Sequence, residues 1–579
     1  MTPLIEIYNL HYRPETLPPQ TPDILRGITL TIHQGEFIAV IGANGSGKTT
    51  FIKHINGILL PTQGRVIIDG YDSSLPNNRK FIRQLVGMVF QNPEEQIVAS
   101  TVEEDIAFGL ENLNLPTPEI ITRVNQQLEF AELREDAKRP PHLLSGGQIQ
   151  KLALAGVLAR RPKVILLDEP TSMLDSRSRE GFLDQVMQLH RLGMTVIYIT
   201  HHMEEAALAD RVMIMNQGKV IKIGSPREIF ITSHKDALHQ MGVEKPEVVS
   251  LCEDFRSIGW HISPDVLTPD QLLVQMPIYE STRRIPQLVV EEQITITKEK
   301  IISINDLHYT YLAESPLAKN ALRGVDLEVS MKGIHAIAGA NGSGKSTLLQ
   351  HINGILKPTQ GQIQVCNMDL SNPSLTLLEV INKVGLVFQN PETQFFEVFV
   401  GDEIAYGPKQ FKMENLRERV RQAMALVGLD FEAVKDRRLL TLSGGEKRKV
   451  AIASTLVLDQ EILLFDEPIA GMDPQARNEL LNLINKLNQQ GKTIIITSHR
   501  LEELARMTKM LSLMVQGKVI RTGLTSKILG DVEAIENANL SPPLVTKVAH
   551  ELINKGWPID KKDTTTPEKL LAALQRVTP

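Results

Sequence analysis

The sequence is written twice. The segment GANGSGKTTFIKHINGILLPTQG that begins at Gly42 returns as GANGSGKSTLLQHINGILKPTQG from Gly339, and the frame continues well past it. Lys48 and Lys345 lie 297 positions apart, while Gln91 and Gln389, Ser145 and Ser443, Asp168 and Asp466, and His201 and His499 each lie 298 apart. A repeat of that length implies two large domains of one design, each able to bury its own core.

A smaller repeat trails each copy, running from Pro246 and again from Pro543, and it holds both tryptophans of the chain, Trp260 and Trp557. Apolar spacing before each Gly-Trp, and the Thr-Pro pairs at 268–269 and 566–567, predict two short helices per module with Pro269 and Pro567 at a first helical position. The expected division is a large domain over 1–232, a small helical module with linker over 233–296, a second large domain over 297–530 and a second module over 531–579. The Pro-rich, charged stretch from Met276 to Lys300 reads as the linker.

Composition limits the function. With 42% hydrophobic residues the chain has no run near the roughly 18 apolar residues that span a bilayer, so any transport role needs other chains for the pathway. The N-terminus has neither a basic start nor an apolar core for export, which predicts a cytosolic address. Cys252 and Cys366 stand far apart without ligand neighbours, as in a reducing compartment. A net charge of −6 argues against a broad nucleic-acid surface.

The chemistry starts at the apolar runs FIAVI before Gly42 and IHAIA before Gly339. Each reads as a buried strand feeding a glycine-rich turn and a helix, the context of a phosphate-binding P-loop. Gly42, Gly45 and Gly47, with Gly339, Gly342 and Gly344, let backbone N–H groups close around phosphate oxygens. Lys48 and Lys345 reach the terminal phosphates, and Thr49 and Ser346 offer hydroxyls to Mg²⁺. Downstream, VILLDEP (164–170) and ILLFDEP (462–468) are apolar strands ending in paired carboxylates. Strand neighbours point to opposite sides, so the pair divides its labour only where the backbone turns. Asp168 and Asp466 are then placed for the Mg²⁺ shell, leaving Glu169 and Glu467 to activate water.

LSGGQ (144–148) and LSGGE (442–446) lie upstream of those carboxylates and resemble the signature motif of the ABC ATPase superfamily. Alone, each Ser-Gly-Gly is a helix N-cap. The resemblance implies an α/β fold of two P-loop NTPase domains of ABC type in tandem, each followed by its helical module, that bind ATP with Mg²⁺ and hydrolyse it. It also implies an intramolecular dimer with two composite sites. The first would use Asn44, Lys48, Thr49, Thr50, Gln91, Asp168, Glu169 and His201, completed by Ser443, Gly444 and Gly445. The second would use Asn341, Lys345, Ser346, Thr347, Gln389, Asp466, Glu467 and His499, completed by Ser145, Gly146 and Gly147. Gln91 and Gln389 would share the metal, His201 and His499 would act as switch histidines, and Asp175 and Asp473 would lie in the loop linking the sites. Adenine would stack on Tyr311, where the first half has Pro14. Tyr12 stands two residues earlier on the same strand face as a substitute, and the first site is expected to hold adenine more weakly.

The segments QNPEEQIVASTVEEDIAFG (91–109) and QNPETQFFEVFVGDEIAYG (389–407) are similar to the region after the switch glutamine in energy-coupling factor ATPases, which power vitamin and cobalt or nickel uptake. That resemblance implies a peripheral protein on the cytoplasmic face of the membrane, whose partners are an integral scaffold and substrate-binding subunits. The groove for the scaffold's coupling helices would hold Pro93 and Gln96 in one half and Pro391 and Gln394 in the other, with both prolines opening helices. A rival is the twin ABC ATPase of the translation-factor class. Its basic interdomain arm is missing here, since 234–300 carries 7 Lys or Arg against 11 Asp or Glu, and no nucleic-acid partner is expected.

Overall fold

The structure, a computed structural model, describes residues 2–15, 21–279, 299–315 and 318–577, so the linker expected over Met276–Lys300 falls mostly outside it. The chain divides into two compact units, residues 1–272 with 471–475, and residues 273–470 with 476–579.

In the first unit a six-stranded sheet runs Lys219–Gly224, Arg211–Asn216, Phe37–Ile41, Thr195–Ile199, Val164–Asp168, Val86–Val89. All neighbours are parallel except the edge strand Lys219–Gly224. Phe37–Ile41, Val164–Asp168 and Thr195–Ile199 are buried at every position, as continuous apolar strands must be when both faces of a parallel sheet are covered. One layer of cover is the antiparallel sheet Leu25–His33, Pro3–Tyr12, Gln63–Ile68, Tyr71–Asp72. Between the sheets, Phe51, Ile52 and Ile55 of the helix Lys48–Ile55 join a core with Ile5, Leu30, Val40 and Ile199. A separate lobe packs Val102–Glu111, Thr117–Phe130 and Gly146–Ala159 around Ile106, Leu128 and Leu152. The second unit repeats the plan, with Ile334–Ala338 and Ile462–Asp466 separated by Thr493–Ser498 in its six-stranded sheet.

Each module has the two helices that the sequence suggests, Glu247–Ser257 with Pro269–Val274, and Leu544–Asn554 with Pro567–Val577. Trp260 stacks on Phe255 with ring centres 5.0 Å apart. Within the second unit, Trp557 is buried, and its Nε1 donates to the Pro277 carbonyl at 2.8 Å.

Pro93 and Pro391 each stand first in a helix, as expected, but that helix is a single 3₁₀ turn, Pro93–Gln96 and Pro391–Gln394. The cause is a carboxylate further on. Asp105 Oδ1 accepts the backbone N–H groups of Val98 and Ala99, and Glu403 Oε2 accepts those of Phe396 and Glu397. Those donors are no longer available to a helix ladder.

Candidate functional site

The parallel strands deliver their chemistry at their carboxyl ends, the usual crevice of an α/β sheet. Phe37–Ile41 runs into Gly42, where a β-carbon would stand 2.1 Å from the Met215 carbonyl oxygen, so no side chain fits. Gly47 takes φ +98° to start the helix Lys48–Ile55, and Gly344 takes φ +104° before Lys345–Ile352. Lys48 Nζ donates to the carbonyls of Gly42 (2.8 Å) and Ala43 (3.0 Å), and Lys345 binds Gly339 and Ala340 in the same way. Burial lowers the Lys48 pKa against the upward pull of Glu169 and Asp168.

Thr49 Oγ1 donates to Asp168 Oδ1 at 3.0 Å. Burial, then the neighbouring Glu169, push the Asp168 carboxyl up to about 6. In the second half Ser346 and Thr497 both hydrogen-bond Asp466, whose pKa burial also raises. A hydroxyl beside a carboxylate is a sparse hard-oxygen set, which suits Mg²⁺ sharing its shell with phosphates and water. Ser46 Oγ and Ser343 Oγ, inside the two glycine turns, are buried without a hydrogen-bond partner. Both observations fit a turn built to receive phosphate and metal.

Glu169 and Glu467 adopt φ +46° and +45°, a region that non-glycine residues seldom occupy, and this turns each carboxylate out of the strand line. Glu169 Oε1 lies 2.9 Å from His201 Nε2, and its Oε2 accepts from Gln91 Nε2 at 3.1 Å. Glu467 pairs with His499 Nδ1 at 2.9 Å and, unlike Glu169, with its lysine, Lys345 Nζ, at 3.2 Å. Burial works to raise both glutamates. The histidines and lysines outweigh it, holding Glu169 below its ordinary value and Glu467 at about 2. Both are therefore ionised over the working range, as a proton acceptor needs to be.

The structure places the remaining predicted residues as follows. Ser145 and Ser443 are N-caps with full capping boxes to Gln148 and Glu446, and Gly146 and Gly444 are the first helical residues. Tyr311 is in hydrogen-bond contact with Thr347 Oγ1 through its hydroxyl at 3.2 Å. Tyr12 sits edge-on to His54, as Tyr309 does to His351. Gln96 Oε1 accepts the Phe90 N–H.

Sequence reasoning missed Arg448. Its guanidinium is buried and donates to the carbonyls of Pro468 (2.7 Å), Ala470 (2.8 Å) and Gln389 (3.0 Å), joining the turn after Glu467 to the backbone at Gln389. It stands within the charged run EKRK, whose sequence gives no sign of burial. The first half has Gln150 at that place, also buried.

The family described as ABC transporter matches residues 25–172 and 322–470. The chain belongs to the ABC transporter family. TTE1589 of Caldanaerobacter subterraneus subsp. tengcongensis, described as an ABC transporter ATP-binding protein, is 32% identical over 91% of this chain and 93% of its own. An ABC transporter ATP-binding protein of Methanosarcina mazei is 31% identical over 96% and 95%. The solved structure of cbiO1 from Clostridium perfringens, described as part of the ABC transporter complex cbiONQ, covers 44% of this chain and 100% of its own at 31% identity, with a TM-score of 0.37. The chain is thus an ATPase subunit of an ABC transporter with two such domains in tandem, and domains of this kind bind ATP, normally with Mg²⁺. Among the described residues no helix is long and apolar enough to cross a membrane.

Proposed function

We propose that this chain is the motor of an energy-coupling factor type importer, driving a separate membrane scaffold from the cytoplasmic face. The observation that carries the reading is the surface beside each switch glutamine. The turns Pro93–Gln96 and Pro391–Gln394 lead into segments pinned by Asp105 and Glu403 that hold apolar side chains in solvent. Val98 is 63% exposed, and Phe396 is 77% exposed while stacking on Tyr406. Held apolar groups in water are a docking feature. The two sockets differ, valine against phenylalanine, which suits one asymmetric scaffold with two unlike coupling helices.

In this reading Thr49 with Asp168, and Ser346 with Asp466, hold Mg²⁺, joined by Gln91 and Gln389. The ion supplies charge neutralisation on the phosphates. Glu169 and Glu467 accept the proton of the attacking water. His201 and His499, already on those carboxylates, report the γ-phosphate. Ser443 to Gly445 would close over nucleotide on the first site and Ser145 to Gly147 over the second, so that ATP shuts the motor and hydrolysis reopens it.

The test is recovery of the tagged full chain from detergent-solubilised membranes. Integral membrane proteins should co-purify with the wild-type chain, and Phe396→Asp should lose them while keeping basal ATPase activity. Recovery with ribosomes in place of membrane proteins would overturn the reading in favour of the translation-factor class.

A further inference from the structure

Glu205 lies in no motif, yet its carboxylate is the most heavily hydrogen-bonded buried acid near the first site. It is 2% exposed and accepts from Thr171 Oγ1 at 2.7 Å, Thr200 Oγ1 at 2.5 Å and Tyr198 OH at 3.0 Å. All three donors are themselves buried. Thr171 follows Glu169 by two residues, and Thr200 immediately precedes His201. The Thr200 hydroxyl also accepts the His202 N–H at 2.9 Å, so it fixes the turn on both sides of the switch histidine. Arg179, the cation whose charge acts on Glu205, faces His202 Nδ1 at 3.2 Å and so leaves the hydroxyls as the direct partners.

The second half does this differently. At the matching positions Ile469, Ile496 and Ser498 replace Thr171, Tyr198 and Thr200, which removes two of the three hydroxyls. Glu503 is buried as well, but its Oε1 meets Arg500 at 3.2 Å and Arg477 at 3.6 Å, and its Oε2 has no hydrogen-bond partner. A carboxylate on three short donors from two segments fixes those segments. One facing long, flexible guanidinium chains leaves more freedom.

We propose that Glu205 is a positioning residue of the first ATP site, holding the Glu169 turn and the His201 turn in register through Thr171, Tyr198 and Thr200, and that the second site lacks this device. The proposal rests on the reading of Glu169 and His201 as the groups at the reacting phosphate. Reacting groups displaced by a fraction of an ångström lose rate without losing ligand affinity.

The experiment measures steady-state ATP hydrolysis by the full chain carrying Glu467→Gln, which leaves the first site its own base. Where that chain is silent, the two sites fire only together, and the same comparison is made in the wild-type chain. Thr200→Val, an isosteric loss of the hydroxyl, should lower kcat about tenfold with KM unchanged and the fold retained, with a modest fall in melting temperature from the partners left unpaired at Glu205 and His202, and Thr200→Ser should restore kcat. Tyr198→Phe removes one hydroxyl without touching the backbone turn and should give a smaller loss of kcat alone, so the proposal does not depend on one variant folding. Ser498→Ala, the second-half control, is made in the chain carrying Glu169→Gln, where the second site does the turnover, and should stay within about twofold. Thr200→Val that keeps full kcat, or that raises KM in step with its loss, overturns the proposal. Glu169→Gln in the same assay separates the two levels: full activity there would sink the base assignment itself, whereas loss there with an active Thr200→Val sinks the positioning role alone.

Discussion

His201 Nε2 lies 2.9 Å from Glu169 Oε1 while Gln91 Nε2 donates to the other oxygen at 3.1 Å, so one ionised carboxylate gathers the residues at the ends of two separate strands of the first half. A single anion holding two loops couples them through its two oxygens.

Removing that anion should stop chemistry and spare binding. In the chain carrying Glu467→Gln, adding Glu169→Gln is expected to lower the remaining kcat on the order of 10² or more, the usual weight of a general base, with ATP affinity little changed. Steady-state ATPase assays paired with fluorescent-nucleotide titration check both halves of the statement, and full turnover would contradict the assignment.

The P-loops, the Asp-Glu strands and the histidine strands were legible in the sequence because each is local. An apolar strand, a turn and a helix follow one another within some twenty residues, so periodicity and glycine positions expose them. Glu205 and Arg448 were not legible for the opposite reason. Thr171 and Glu205 are 34 residues apart, and Arg448 reaches Gln389 across 59, so only the folded sheet brings the partners together. The helices expected at Pro93 and Pro391 are present but stop after one turn, because Asp105 and Glu403, six or seven residues on, claim the N–H groups that follow, a competition that helix periodicity does not display. The left-handed φ at Glu169 and Glu467 also has no sequence signal, because glutamate is a poor guess for such a position.

Tyr311 has an aromatic ring where the first half has Pro14, so the two sites should differ in their hold on adenine. Lys48→Ala, which leaves the second site intact, should retain tighter ATP binding than Lys345→Ala by about 0.5 to 1.5 kcal/mol, the value of an aromatic stack. Isothermal titration of both variants decides it, and equal affinities would remove the difference.

His335 marks a pH-dependent weakness in the second half. It is 3% exposed in the strand Ile334–Ala338, its Nε2 contacts Ser512 Oγ at 2.8 Å, and burial lowers its pKa from 6.5 to about 4. The folded chain therefore keeps a neutral imidazole while the unfolded chain takes up a proton below about pH 6.5. Stability is full above that value and is lost as pH falls toward about 4, by at most about 3 kcal/mol. The first half has Ile38 at this place, and His335→Ile should flatten the loss, leaving Ser512 its bond to Thr522. Denaturant midpoints at about pH 7.5 and about pH 4.5 test it, and equal acid sensitivity in the variant would refute it.

Arg448 gives the second half a cross-link that the first half lacks. A buried cation with three carbonyl acceptors is stabilising only while all of them face it, because truncation leaves the acceptors dry and unpaired. Arg448→Gln, which copies Gln150 of the first half, keeps at most part of this set and should destabilise the second unit by about 2 to 3 kcal/mol. The loss should not be confined to stability. Gln389 and the Pro468–Ala470 turn would no longer share a tether, so the variant should also lower kcat more than it changes ATP affinity. Hydrogen exchange over 386–392 and 466–472, measured beside the unfolding midpoint, should show faster opening at both segments together. Exchange that rises at one segment and stays native at the other would mean that the guanidinium fills space there and couples nothing.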